Sequence, residues 1–218
     1  MANHTSSLRV FLQTLKLKMV CGNKEIPVRA ILESGSQKSY VLKNVVEKIG
    51  YIPLRKEILM HSLFGWIKSD KCEHTSYRIR LRNQDNSVTC NLEALDQTSI
   101  CDNIASVPPV SWISELNEMK IQLSDVGKES RSVQVLLGSD VIRKLMTGQR
   151  RILSCGLVAM ETILGWTLSG KVPDSEIFSC KAMLVASLFV KEMDISKLWR
   201  LHSSRIQDPS EQKTRGAS

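Results

Sequence analysis

The run Val28-Arg29-Ala30-Ile31-Leu32-Glu33-Ser34-Gly35-Ser36-Gln37-Lys38-Ser39-Tyr40-Val41 decides how the rest of the chain is read. An apolar stretch of strand character ends on an acid, and the acid is followed at once by Ser-Gly-Ser. Gly35 permits a tight turn that brings backbone N–H groups close to the carboxylate, and the Ser34 and Ser36 hydroxyls can bond locally. The pattern is that of a loop built to hold a carboxylate still, with Glu33 as the candidate catalytic group and Ser34, Gly35 and Ser36 as its turn. An acid-Ser-Gly triplet is also common in ordinary turns, so its meaning depends on the surrounding sequence.

Upstream, Arg9 to Val20 alternates imperfectly and is followed by Gly22-Asn23, which predicts a hairpin entering Ile26 to Leu32. Downstream, Val41, Leu42, Val45, Val46 and Ile49 have the spacing of a short amphipathic helix closed by Gly50. Ile58 to Phe64 and Tyr77 to Leu81 read as two strands separated by polar residues, and Val88 to Leu95 as a third. Pro108-Pro109 leads into a helical pattern at Trp112, Ile113, Leu116 and Met119. Val133 to Leu137 is a compact apolar run ending in Gly138. Val141 to Met146 is helical in pattern, with Asp140 placed to cap it, and Arg150 to Gly170 gives two further strands. The expected fold is mainly β, a barrel with a few short helices over residues 8–172, followed by a helical or linker tail over 173–218.

Composition narrows the function classes. The 218 residues are 42% apolar and 24% charged, enough for one core and an appendage, and the net charge is +8. The longest apolar run, Ala182 to Val190, is about half of the roughly 20 residues needed to span a bilayer, so no membrane partner is expected. The start, Met1-Ala2-Asn3-His4-Thr5, lacks the charged and apolar regions of a secretory signal, and the expected location is intracellular, in the cytoplasm. Cys21, Cys72, Cys90, Cys101, Cys155 and Cys180 are scattered with no CxxC pair, as reduced thiols would be.

Cys72-Glu73-His74, with His61 and Cys90, has metal-ligand residue types at a spacing that matches no zinc framework, so neither metal nor cofactor is expected. None of His4, His61, His74 and His202 lies beside a Ser or Cys nucleophile motif, and no phosphate-cradling glycine motif occurs. Arg78, Arg80 and Arg82 alternate along one strand, and Arg143, Lys144, Arg150 and Arg151 cluster. Without interleaved aromatics they read as solvated cations, not a nucleic-acid platform.

Three blocks in order resemble one family. Arg29 to Val41 with its Glu-Ser-Gly-Ser-Gln core, Val135-Leu136-Leu137-Gly138-Ser139-Asp140, and Glu161-Thr162-Ile163-Leu164-Gly165-Trp166-Thr167-Leu168-Ser169-Gly170 are similar to the retropepsin-like aspartic peptidase domain of Pao/BEL-type retrotransposon polyproteins. The resemblance spans about Leu12 to Gly170. Ile195 to Arg200 and Asp208 to Glu211 look like the connector towards reverse transcriptase in such polyproteins. It implies an acid-protease barrel and a homodimer acting on a polypeptide, in which each chain contributes one acidic turn and two carboxylates about 3 Å apart share a proton. It also implies that the apolar strand before Gly138 braces the active-site turn, and that a hairpin flap closes over the substrate. Phe64-Gly65-Trp66 stands where the flap tip is expected; an ordinary turn with two core aromatics fits it equally.

The family has Asp where this chain has Glu33. One added methylene displaces the carboxylate by roughly 1.5 Å, and a misplacement of that order can cost about a hundredfold in rate. The expectation is an endopeptidase fold with impaired activity; the alternative is an inactive remnant serving as a peptide-binding or dimerisation module. No second acid-Ser/Thr-Gly turn follows an apolar strand, so a two-acid site would need two copies of the chain.

Overall fold

The computed structural model describes residues 8–62, 68–101, 104–107, 112–127 and 130–173. The expected tail over 173–218 and the expected flap tip Phe64-Gly65-Trp66 lie outside them, save for Pro173. The chain opens with β1 (Leu8–Phe11) and then forms the hairpin of β2 (Thr14–Cys21) and β3 (Lys24–Leu32). Gly22 takes φ +56° at the hairpin turn, a conformation that a side chain would strain. After the acidic turn come β4 (Tyr40–Leu42) and α1 (Lys43–Ile49), which ends on left-handed Gly50 at φ +90°. The helix therefore starts two residues later than the periodicity from Val41 suggests: Val41 and Leu42 are taken into a sheet.

β5 (Arg55–Ser62) and β6 (Lys68–Arg82) form a long antiparallel hairpin, and β7 (Thr89–Gln97) pairs with the second half of β6. The polar stretch that the sequence places between two strands is itself strand. It stays polar because His74 and Ser76 point inward yet find partners: His74 Nδ1 lies 2.7 Å from the Asp96 carbonyl. A small lobe follows, made of β8 (Ile104–Ala105), α2 (Trp112–Glu118) and β9 (Ser130–Arg131). Then come β10 (Val135–Leu137), α3 (Ser139–Leu145), β11 (Met146–Ile152), β12 (Val158–Thr162) and β13 (Gly165–Pro173). The Arg150 to Gly170 region thus holds three strands, one more than its apolar runs reveal. β11 is hidden because Thr147 to Ile152 are all exposed, with Arg150 and Arg151 on a sheet edge where charge discourages stray pairing.

Six strands close into a barrel in the order β2-β3-β10-β4-β7-β6, and β6 returns to β2 through Lys18↔Arg82 and Met19↔Leu81. The protein is accordingly mainly β, a six-stranded barrel with three short helices. β5 extends outside the ring as the free edge. Inside, the inward residues of alternating strands, Leu15, Leu17, Met19, Ile79, Leu81, Val135 and Leu137, form one buried core with Val46 and Ile49 of α1 and Leu145 of α3. A second core joins the sheet β1-β13-β12-β11 to α2: Phe11 and Trp112 meet edge to face at 5.6 Å over Leu157 and Leu168. The first and last described strands pair, Leu8 opposite Pro173.

A buried ionic anchor ties the small lobe to the barrel. Asp125, 2% exposed, accepts from Arg29 Nε at 2.7 Å, Thr14 Oγ1 at 2.5 Å and Ser106 Oγ at 3.0 Å. Arg29, 3% exposed, also donates to the Ile104 carbonyl, and Lys16 Nζ stands 3.6 Å from the carboxylate. A buried carboxylate is tolerable only with its lone pairs occupied this fully. Removing Asp125 would leave Arg29 charged and unmatched. Asp125→Ala is therefore expected to lower stability by about 3–5 kcal/mol, while Arg29→Met combined with Asp125→Leu recovers most of that loss. Urea unfolding of the two single variants and the double variant measures the coupling.

Candidate active site

β3 and β4 leave the acidic turn side by side in sequence but not in the sheet, because β10 runs between them. It is parallel to β3, with Val135 opposite Ala30 and Leu137 opposite Leu32, and antiparallel to β4, with Leu136 opposite Tyr40. Residues 33–39 must loop over the end of β10, and its last carbonyl, that of Leu137, accepts from Glu33 N at 2.9 Å. Ser36 N closes the turn onto the Glu33 carbonyl at 3.1 Å. Glu33 itself is half-buried, while Ser34 and Gly35 are exposed. Its Oε1 accepts from Gly35 N at 2.9 Å, so the extra methylene is taken up by curling the side chain back over its own turn.

The far side of the turn is held by the start of α3. Ser139 donates through both N, at 2.8 Å, and Oγ, at 2.9 Å, to the Ser36 carbonyl, and Ser36 Oγ donates to the Lys38 carbonyl at 2.7 Å. Buried Ser39 donates its Oγ–H to Asp140 Oδ1 at 2.8 Å and receives Gly138 N at 3.0 Å; its backbone N reaches Asp140 Oδ2 at 3.2 Å. Gly138 has room for no side chain, since a Cβ there would stand 2.4 Å from the Lys38 carbonyl oxygen. The expected bracing position at Gly138 is thus a point of backbone contact. Asp140 differs from expectation: the N-cap is Gly138, with extended φ −87° and ψ −179°, and Asp140 sits in the first turn with its carboxylate turned onto Ser39. An acid there also suits the helix dipole, and its charge joins burial, the larger cause, in pushing the Tyr40 phenol up.

From the outer face of β3, on which Ile31 precedes Glu33, an apolar floor spreads sideways through Ile31, Tyr40, Leu95, Val133 and Leu136. Leu59 of the β5–β6 hairpin packs against it, as do Leu12 and Leu42. The hairpin therefore leans over the same face that ends in the acid. Concavities of about 390 and 420 Å³ lie elsewhere, and neither includes Glu33.

Other acids are committed. Asp125 is buried against Arg29, and Asp96 holds Thr75 N at 2.6 Å. Among the described residues no three His, Cys, Asp or Glu gather to hold a metal, the five cysteines there are free thiols, and no helix is long and apolar enough to cross a membrane. Of the arginines that alternate along β6, Arg78 pairs with Glu93, Arg82 with Glu25, and Arg80 bonds Asn91. Ser39 and Arg29 are the site-supporting residues that sequence reasoning missed, and neither carries a local signal. No model of a known protein family matches the chain, and no curated protein matches it.

Gly138→Ala is expected to lower stability by about 1–3 kcal/mol, because only the carbonyl of residue 38 can give way. Ser39→Ala removes two side-chain bonds and is expected to cost about 1–3 kcal/mol by leaving Gly138 N unsatisfied. Urea midpoints measure both, and an unchanged midpoint for Gly138→Ala would show that the contact is not close-packed.

Proposed function

We propose that this chain is a retropepsin-like aspartic endopeptidase domain of the Pao/BEL type, with Glu33 in the catalytic position, assembling as a homodimer and cutting polypeptide slowly. The observation that carries this reading is the position of Glu33: a half-buried acid at the end of an interior strand, on a non-helical turn braced from behind by β10 and Gly138. Support also comes from the apolar floor beside it, suited to side chains of an extended peptide, and from the hairpin that overhangs that floor.

With each subunit supplying one carboxylate, the two share a proton. The ionised carboxylate takes a proton from a water held between them, and the oxygen of that water attacks the scissile carbonyl carbon. The protonated partner donates its proton to the carbonyl oxygen. Collapse of the tetrahedral adduct then breaks the C–N bond as the departing nitrogen is protonated. Within one chain no second free acid faces Glu33 among the described residues, since Asp140, Asp125 and Asp96 are each bonded elsewhere. The twin has to come from a second copy.

One observation favours the alternative of an inactive peptide-binding or dimerisation module: the Glu33 carboxylate is engaged by its own turn at Gly35 N. To meet a twin at about 3 Å it would have to uncurl, on both sides of the dyad. The two readings differ in one assay. Peptide-library cleavage by the native chain is expected to be at least about a hundredfold slower than by Glu33→Asp, with Glu33→Ala silent. Analytical ultracentrifugation of the same samples is expected to show a dimer. A silent Glu33→Asp dimer moves the conclusion to the binding module, and a strict monomer removes the two-acid site altogether.

A further inference from the structure

On the side of the barrel where α1 crosses β6 and β7, a cavity of about 420 Å³ opens between the helix, the Pro53-Leu54 lead into β5, and the strands. This is the size of a small-ligand site, in a place where barrels commonly offer one. It shares no residue with the acidic turn. Its buried wall is Asp96, 7% exposed, and Tyr77, 5% exposed. Asp96 Oδ1 accepts from Thr75 N at 2.6 Å and lies 3.8 Å from His74 Nδ1, whose hydrogen bond goes instead to the Asp96 carbonyl. No hydrogen bond within the described residues reaches the second carboxylate oxygen, Oδ2. A carboxylate nine-tenths buried with one oxygen unmatched calls for a cationic donor.

The rim decides what sign of ligand the cavity favours. Lys56 is bound to Glu73 at 2.7 Å, and Arg55 to Glu57 at 2.7 Å and Glu93 at 2.9 Å. The hydrogen bond from Arg55 holds the Glu93 carboxyl below its usual range, as expected of a satisfied pair. That leaves Asp96 and Glu47 against the single cation Lys43, a negative surplus. Burial, and then the charges of Asp96 and Glu47, raise the Tyr77 phenol, which places both carboxylates within electrostatic reach of its ring. Pro53, Leu54 and the Tyr77 ring supply apolar wall for methylenes.

We propose that this cavity binds an alkylammonium group, the nitrogen donating to Asp96 Oδ2 and its carbon chain lying along Leu54 and Tyr77. Two sources offer that chemistry, a free polyamine and a lysine side chain of another polypeptide. Lys43 on the rim opposes the ligand.

The test is calorimetric titration of the full chain with spermidine, with Nα-acetyl-lysine methylamide and, as the uncharged control, with n-hexanol. Saturable binding of an ammonium probe is expected. It should weaken about tenfold or more in Asp96→Asn, which keeps an acceptor for Thr75 N, and tighten in Lys43→Ala. Binding of spermidine alone assigns the site to free polyamines; binding of the lysine derivative as well assigns it to protein side chains. Should Asp96→Asn lose its native circular dichroism, Glu47→Gln, on the exposed face of α1, is the second variant, with severalfold weakening expected. Absence of binding by both ammonium probes overturns the proposal, as do affinity unchanged in Asp96→Asn and hexanol binding as well as spermidine. Because Glu33 takes no part, Glu33→Ala should bind as the native chain does.

Discussion

The site and much of the barrel depend on three residues of backbone, Val135 to Leu137, lying between two strands that are neighbours in sequence. Once β10 occupies that place, the chain leaving β3 cannot turn back beside itself and has to pass over the end of β10 before β4 begins. The acid at position 33 is thereby lifted to the rim of the sheet, its N–H fixed to the Leu137 carbonyl. Gly138 follows immediately, and because it has no Cβ the start of α3 can lie directly on the carbonyls of Ser36 and Lys38. A parallel contact of this kind joins segments about a hundred residues apart, as the separation of 101 between Ser39 and Asp140 shows. Such contacts are slow to find in folding, and their formation commits the whole topology.

Stability is distributed so that the turn need not provide it. The interior of the barrel is apolar and nearly solvent-free, and the small lobe is clamped to it by Asp125 and Arg29 with Thr14, Lys16 and Ser106 around them. Polar groups in the β5–β6 hairpin are matched one by one, most visibly at His74, whose ring meets Tyr40 edge-on at 6.0 Å and the Asp96 carbonyl at 2.7 Å. The outer face of the hairpin is less settled: Ile58 and Met60 remain 66% and 54% exposed, an apolar surface on a free edge strand.

What the sequence discloses and what it conceals follow from the range of the forces involved. Local signals were legible: Gly22 at a hairpin, Gly50 ending α1, the apolar run before Gly138, and the helix begun by Trp112. The acidic turn was legible because its strand, acid and glycine are contiguous. Concealed elements share one cause, a partner distant in sequence that overrides a local pattern. β6 reads as polar until His74 is paired with Asp96; β11 has no buried face to give it a period. Arg29 looks like a charge interrupting an apolar strand until Asp125, 96 residues on, is brought beside it. Asp140 reads as a cap because its neighbours begin a helix, yet its carboxylate answers to Ser39.

The brace and the chemistry are separable, which explains how a glutamate can stand where the resembling family has aspartate. The bonds that fix the turn run through backbone atoms of Glu33 and Ser36, through Ser139, and through Ser39 and Asp140. The carboxylate of residue 33 contributes only its bond to Gly35 N, within the turn itself. Lengthening the side chain by a methylene therefore disturbs no packed contact and costs the fold little, while it displaces the reacting oxygens by a length that catalysis does not tolerate well. A fold of this kind is preserved by its interior whether or not the acid works, so the intact barrel speaks for ancestry and geometry, and activity rests on two oxygens at position 33.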